Sequence, residues 1–333
     1  MADVLLLGMG PTALSALDSL AAKLNVLGIV RVRASECQSV DPVVDRAQEL
    51  GIPVFSDISL AAVGALISQL KPDCVVVSSY NRLLPPKLTA QCPFINVHYA
   101  PLPRYRGRAN VNWALINGES WAAITIHTVV PELDAGNILF QQCIPIRDTD
   151  TITALYEKLN DIQRQHLAGT IVHFLYGYEG IPQDNREATY GCSRVPEDGE
   201  IDWTASTSKI CDLVRALVAP FPGAYTYLHG KRLMVWKARP VDNPPYYAGR
   251  IPGRIIRTSR TEGYVEVLTG DGILRILEVQ FQGESPTAAA NVIKSVRETL
   301  GLRTADLLER IQSLEQQMAK LMEMSQGSQE YAE

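Results

Sequence analysis

Val4-Leu5-Leu6-Leu7-Gly8-Met9-Gly10-Pro11-Thr12 decides the fold class. An unbroken apolar run is what a strand buried on both faces of a parallel sheet requires, and the turn after it hands the chain to a helix. Ala13 to Leu24 carries Leu14, Leu17, Leu20 and Leu24 at helical spacing. Working outward, Val26 to Val32 reads as a strand. Asp41 to Leu50 reads as a helix closed by Gly51 in the residue position just past its end. Val54-Phe55 opens a short strand, Leu60 to Leu70 a helix, and Cys74 to Ser78 a strand. Strands alternating with helices of about a dozen residues predict a doubly wound, Rossmann-like α/β domain.

The alternation continues through a strand at Phe94 to His98, a helix at Val111 to Ile116 and a strand at Ala123 to Val129. A long helix from Thr151 to Tyr178 carries Ile152, Leu155, Leu159, Ile162, His166, Ile171 and Phe174. These elements make residues 1–180 the first domain. Residues 181–204, rich in Pro, Gly and charge, read as a linker. Residues 205–302 hold a helix (Ser206 to Leu217) and short strands at Ala224–Leu228, Met234–Ala238, Gly253–Ile256, Tyr264–Thr269 and Leu274–Gln280. That pattern predicts a small OB-like β-barrel. Residues 303–333 form a terminal helix and a frayed tail. Leu307, Ile311, Leu314, Met318 and Leu321 lie in 4-3-4-3 spacing. Barely two heptads fall short of the three or four that define a coiled coil, so the helix is expected to pack on its own chain, with a homodimer seam as the other reading.

The chain has 333 residues, 46% hydrophobic and 20% charged, which excludes a disordered or collagen-like polymer and a disulfide-framework miniprotein. A formal charge of −5 provides no global positive field for a polynucleotide. Cysteines at 37, 74, 92, 143, 192 and 211 lack the close spacing of a zinc or redox motif and read as reduced, mostly buried thiols. The first residues lack a basic segment, and no apolar run is long enough to span a bilayer. A cytoplasmic protein with no membrane partner is expected.

Gly8 to Ala13 stands where a dinucleotide fingerprint would stand. Pro11 has no N–H to offer a pyrophosphate, and Arg31 and Arg33 precede the first acidic residue, Glu36, so the reading is a tight turn that starts a helix. The chemistry-bearing stretch is 94–138: Phe94-Ile95-Asn96-Val97-His98, Leu102-Pro103-Arg104-Tyr105-Arg106-Gly107-Arg108, Asn112-Trp113, Asn117-Gly118-Glu119 and Leu133-Asp134-Ala135-Gly136. Asn96 and His98, two apart on a strand, share one face at the carboxyl end, where open α/β sheets bind ligands. His166 and His173 lie seven apart on one helix without a third ligand, so packing is the reading and no metal is expected. His127 and His229 are read the same way. Trp113 and Tyr105 fit either a base-stacking or a core role.

These motifs together resemble the 10-formyltetrahydrofolate-dependent formyltransferases, a family that includes methionyl-tRNA formyltransferase, glycinamide ribonucleotide transformylase and the N-formyltransferases of nucleotide-linked amino sugars. The resemblance extends through Asp198-Gly199-Glu200-Ile201-Asp202-Trp203, Val214-Arg215-Ala216, Pro222-Gly223-Ala224 and Val235-Trp236-Lys237-Ala238. It implies 10-formyltetrahydrofolate as formyl donor, Asn96, His98 and Asp134 as a catalytic trio, and folate contacts at Arg82, Leu83, Leu84, Arg108, Val130, Pro131, Glu132 and Leu133. The side chains suit that chemistry. Asn96 and protonated His98 can donate to a tetrahedral oxyanion, His98 can move the amine proton, and Asp134 can orient the imidazole. Tyr99, Asn110 and Ala123 depart from the family pattern and are expected to border the acceptor side.

Two acceptors compete. Relatives acting on tRNA carry a basic glycine-rich loop after the second strand. Here Arg31 to Pro42 is short and mixed in charge, while Arg106-Gly107-Arg108-Ala109-Asn110 is closer to nucleotide-sugar enzymes. A UDP- or dTDP-linked amino sugar is therefore the expected small-molecule amine acceptor, methionyl-tRNA the alternative, and a non-catalytic folate- or nucleotide-binding relative the alternative of another class.

Overall fold

The computed structural model describes residues 1–32 and 41–329, so Arg33, Glu36 and Cys37 lie outside the described residues. The chain divides into two compact units, Met1–Arg194 and Val195–Glu333. The first contains, in order, β1 (Asp3–Gly8), α1 (Gly10–Ala21), β2 (Asn25–Arg31), α2 (Pro42–Glu49), β3 (Val54–Ser56), α3 (Leu60–Leu70), β4 (Cys74–Ser78), α4 (Pro86–Thr89), β5 (Phe94–His98), β6 (Arg106–Gly107), α5 (Asn110–Ile116), β7 (Trp121–Thr128), β8 (Ile138–Pro145), α6 (Ile152–Leu175) and β9 (Tyr190–Gly191). Seven strands form one sheet in the order β3-β2-β1-β4-β5-β7-β8. The first five run parallel; β7 pairs antiparallel with β5, and β8 antiparallel with β7.

Val4 to Leu7 and Cys74 to Val77 are buried, as adjacent central strands covered on both faces must be. A Cβ on Gly8 would come 2.1 Å from the Ser78 carbonyl oxygen, so β1 can lie this close to β4 only with glycine there. The turn after β1 has its own anion. Asp41 caps α2 through the Val43 N–H, accepts the Gly10 N–H at 3.0 Å and lies 3.1 Å from the Arg31 guanidinium. The acceptor that occupies this turn is thus a carboxylate of the chain itself. In the helix layer, buried Gln163 of α6 donates to Thr12 O and is bonded to Tyr99 and Ser78, tying α6 to the carboxyl ends of β1, β4 and β5.

Residues 181–191, read as linker, pack on the first unit: Ile181 exchanges backbone hydrogen bonds with Ile138, and β9 pairs with β6. The strand β8 was not anticipated.

The second unit contains α7 (Thr207–Ala216), β10 (Ala224–Leu228), β11 (Lys231–Pro240), β12 (Ile255–Ser259), β13 (Tyr264–Leu268), β14 (Ile273–Phe281), β15 (Thr287–Ala288), α8 (Ala289–Val292) and α9 (Thr304–Gln329). Its antiparallel sheet runs β10-β11-β14-β13-β12, with β15 also on β14. No ladder joins β10 to β12 among the described residues, so the element is an open sheet. Two sequence expectations fail here and in the first unit. The apolar residues of α9 are exposed, and among the described residues of the second unit none buries them. Of the five described cysteines only Cys74 is buried; Cys143 and Cys192 are exposed on polar segments of the surface. No described helix is long and apolar enough to cross a membrane.

Candidate active site

The carboxyl ends of β4 and β5, the β6 turn and the 129–134 loop surround a cavity of about 600 Å³. Asn96, His98 and Asp134 line it, as do Arg82, Leu83, Leu84, Arg108, Val130, Pro131, Glu132 and Leu133. Every site residue expected from the sequence therefore faces one space. Val77, Val97, Val129 and Val130 give it apolar walls, and Asn96 and His98 meet at Asp134, which makes one polar end. Arg82 and Arg108 are oriented by backbone carbonyls, Ile58 O at 2.7 Å and Asn81 O at 2.9 Å.

Asp134 is at the centre of the polar end. Its φ of 49° is in the left-handed region, which Asp tolerates better than most residues. Oδ2 accepts the Gly107 N–H at 2.8 Å and lies 3.6 Å from His98 Nδ1; Oδ1 lies 3.5 Å from Asn96 Nδ2. The loop closes over Gly136, where a Cβ would meet the Thr128 carbonyl oxygen at 1.7 Å. Gln183, from the supposed linker, donates to the carbonyls of Asp134 and Gly136, each at 2.7 Å. Its own carbonyl accepts from buried Arg106 at 2.8 Å, and Arg106 also donates to Asn185.

Hydrogen bonding fixes the ring states. His98 Nε2 is 2.8 Å from the Tyr105 carbonyl, which accepts only, so Nε2 carries a proton and Nδ1 faces Asp134. Asn110 Nδ2 lies 3.0 Å from that same Nε2, an approach of two donors that is not a hydrogen bond, and donates instead to Gly107 O. His127 donates from Nδ1 to Thr128 O at 2.8 Å, and burial, followed by the nearby His98 charge, pulls its pKa down to about 4. Neutral His127 therefore offers Nε2 as an acceptor, and Asn96 Nδ2 donates to it at 3.1 Å. This contact orients the Asn96 amide: one N–H is anchored, and the other points toward Asp134 at a distance too long for a good bond.

Sequence reasoning missed His127 and Gln183. The antiparallel register of β5 on β7 sets Asn96 opposite His127, a pairing that spacing along the chain does not reveal. The three departures from the family pattern also sort differently from expectation. Tyr99 turns to α6 and shares hydrogen bonds with Asn160 and Gln163, and Ala123 is fully buried; only Asn110 touches the site. Trp113 neither joins the core nor lines the cavity, but holds Cys192 O and stacks under Arg194. His166 stacks on Phe140 and His173 on Tyr178. Among the described residues no group of three or more ligating side chains could hold a metal.

Fold and site together define an α/β protein with a ligand cavity at the carboxyl ends of its strands. Residues 32–171 match the formyl transferase family and residues 194–297 the formyl transferase C-terminal domain. The chain belongs to the formyltransferase family. HypX from Aquifex aeolicus, solved in complex with tetrahydrofolic acid, is similar in fold with a TM-score of 0.60 at 18% identity, over 88% of this chain and 47% of that one. This chain thus spans about half the length of the HypX structures it matches. An N-formyltransferase from Helicobacter canadensis, in complex with folinic acid and dTDP-3-aminofucose, gives 0.63 at 18% identity over 83% of this chain and 98% of that one. WlaRD, a sugar 3N-formyl transferase crystallised with dTDP and 5-N-formyl-THF, gives 0.61 at 16% identity over 86% and 99%.

Proposed function

We propose that this protein transfers a formyl group from 10-formyltetrahydrofolate to the amine of a UDP- or dTDP-linked amino sugar. The observation that carries the reading is the convergence of Asn96 and His98 on Asp134, each within 3.6 Å of its carboxylate, in the cavity. The residues present suit the folate donor. The apolar walls and the 129–134 loop accept a pterin-sized ring, and Arg82, Leu83, Leu84, Arg108, Val130, Pro131, Glu132 and Leu133 would hold it. When bound, the donor supplies an electrophilic formyl carbon and a nitrogen leaving group.

The chain's own side chains then have distinct tasks. Asn96, its amide anchored by His127, turns its second N–H from Asp134 to the formyl oxygen as charge grows there. One such donor contributes about 10²–10³ in rate. His98 Nδ1 accepts the proton of the attacking amine and gives it to the nitrogen that leaves, while Nε2–H remains on Tyr105 O throughout. Asp134 faces the resulting imidazolium and stabilises it. Two similar folds are sugar N-formyltransferases matched over nearly their full length, which supports the sugar acceptor; so does the chain's acidic balance, since tRNA binding draws on basic surface.

The test measures tetrahydrofolate release from 10-formyltetrahydrofolate with a panel of UDP- and dTDP-linked amino sugars, and with charged initiator methionyl-tRNA in parallel. Turnover with a sugar and none with tRNA is expected. Turnover with tRNA alone refutes the acceptor. Single-turnover transfer that survives Asn96→Ala unchanged refutes the mechanism.

A further inference from the structure

The helix α9 presents an apolar stripe that no described residue of its own unit buries. Leu307, Leu308, Ile311, Leu314, Met318, Leu321 and Met322 are all between 42% and 66% exposed. A lone helix of this kind is marginal in water, because helices are held chiefly by burial of an apolar face. The stripe therefore calls for an occupant.

We infer that the occupant is the same helix of a second copy, paired in parallel as a two-stranded coiled coil. Leu307, Leu314 and Leu321 fall at d positions of a heptad, with Ile311 and Met318 at a. Branched Ile at a with Leu at d is the choice that favours two parallel strands. In that register each g position faces the e position five residues further along the other copy. Arg310 is at g and Glu315 at e, so two symmetry-related Arg310–Glu315 pairs flank the seam. The next such pair is Gln317 with Met322, so no like charges meet across these positions. An antiparallel pairing sets g against g and e against e, and Arg310 never meets Glu315. Leu308 and Met322, also at e, widen the apolar contact. Only about two and a half heptads are available, so the dimer is concentration-dependent in the micromolar range, and the catalytic cavity of each copy stays complete without it.

Sedimentation velocity on the full chain, from 1 to 100 μM, is the test. A monomer–dimer equilibrium is expected for the wild type, and a monomer for Ile311→Glu whose circular dichroism below 240 nm falls by no more than the helix signal of α9. Arg310→Glu and Glu315→Arg should each weaken the dimer about 5- to 10-fold, and the double variant should restore it. A wild type that remains monomeric throughout, or a dimer that survives Ile311→Glu, overturns the seam. Failure of the double variant to recover overturns the parallel register.

Discussion

Replacing His127 should remove most of the acid sensitivity of the first unit between pH 4 and 6.5. The ring is 1% exposed, and burial lowers its pKa from 6.5 to about 4. The unfolded chain therefore binds a proton near pH 6.5 that the folded chain refuses until about pH 4. The stabilisation is complete above pH 6.5 and is lost as the pH falls through this window. At about 1.4 kcal/mol per pH unit the whole loss is about 3 kcal/mol, of which about 2 kcal/mol is gone by pH 5. The assay is hydrogen exchange of β5 and β7 amides in the full chain, wild type against His127→Gln, at pH 5 and pH 7.5. The glutamine keeps an acceptor near Asn96 but has no proton to take up, so its pH 5 deficit should be smaller by about 2 kcal/mol. His127→Leu removes the acceptor as well and should lower the formyl-transfer rate about fivefold, as one hydrogen bond of about 1 kcal/mol stops holding the Asn96 amide. An unchanged pH 5 deficit in His127→Gln would refute the neutral ring, and with it the assigned orientation of Asn96.

Gln183→Ala should leave folate binding within a factor of about three while lowering the rate of transfer, since it frees two carbonyls of the Asp134 loop; equal loss in both, measured by folate titration and single turnover, would assign it to binding instead. Gly136→Ala places a methyl group 1.7 Å from the Thr128 carbonyl oxygen, so the loop must open; transfer should fall below a tenth of wild type, and full activity would refute the fit. Asp41→Ala removes the cap of α2 and the partner of Arg31, at a cost of about 1–2 kcal/mol in urea unfolding, and a change below ~0.3 kcal/mol would show the cap idle.

The sheet was legible where physics leaves an unambiguous trace. Strands covered on both faces, such as Val4–Leu7 and Cys74–Val77, are continuous apolar runs, and the helices between them carry the spacing of one buried face. The edge strand β8 leaves no such trace: Gln141 and Gln142 interrupt it, and much of it is exposed. Asn96, His98 and Asp134 were legible because a motif groups them along the chain. His127 and Gln183 act across a strand pairing and a long loop closure, which local pattern does not encode. The stripe of α9 was visible as spacing, yet spacing alone does not tell a helix that packs on its own chain from one that awaits a partner.

The hydrogen bonds of Gln183 bear on where this protein can be cut. A chain trimmed after α6 would retain the whole seven-stranded sheet and Asn96, His98 and Asp134. It would lose the amide that spans Asp134 and Gly136, the neutral partners of buried Arg106, and the strand that pairs with β6. Such a fragment would fold around its core with the polar end of the cavity unbraced. The smallest portable module therefore ends near Arg194, and a chimera that exchanges the second unit should carry its junction beyond that residue.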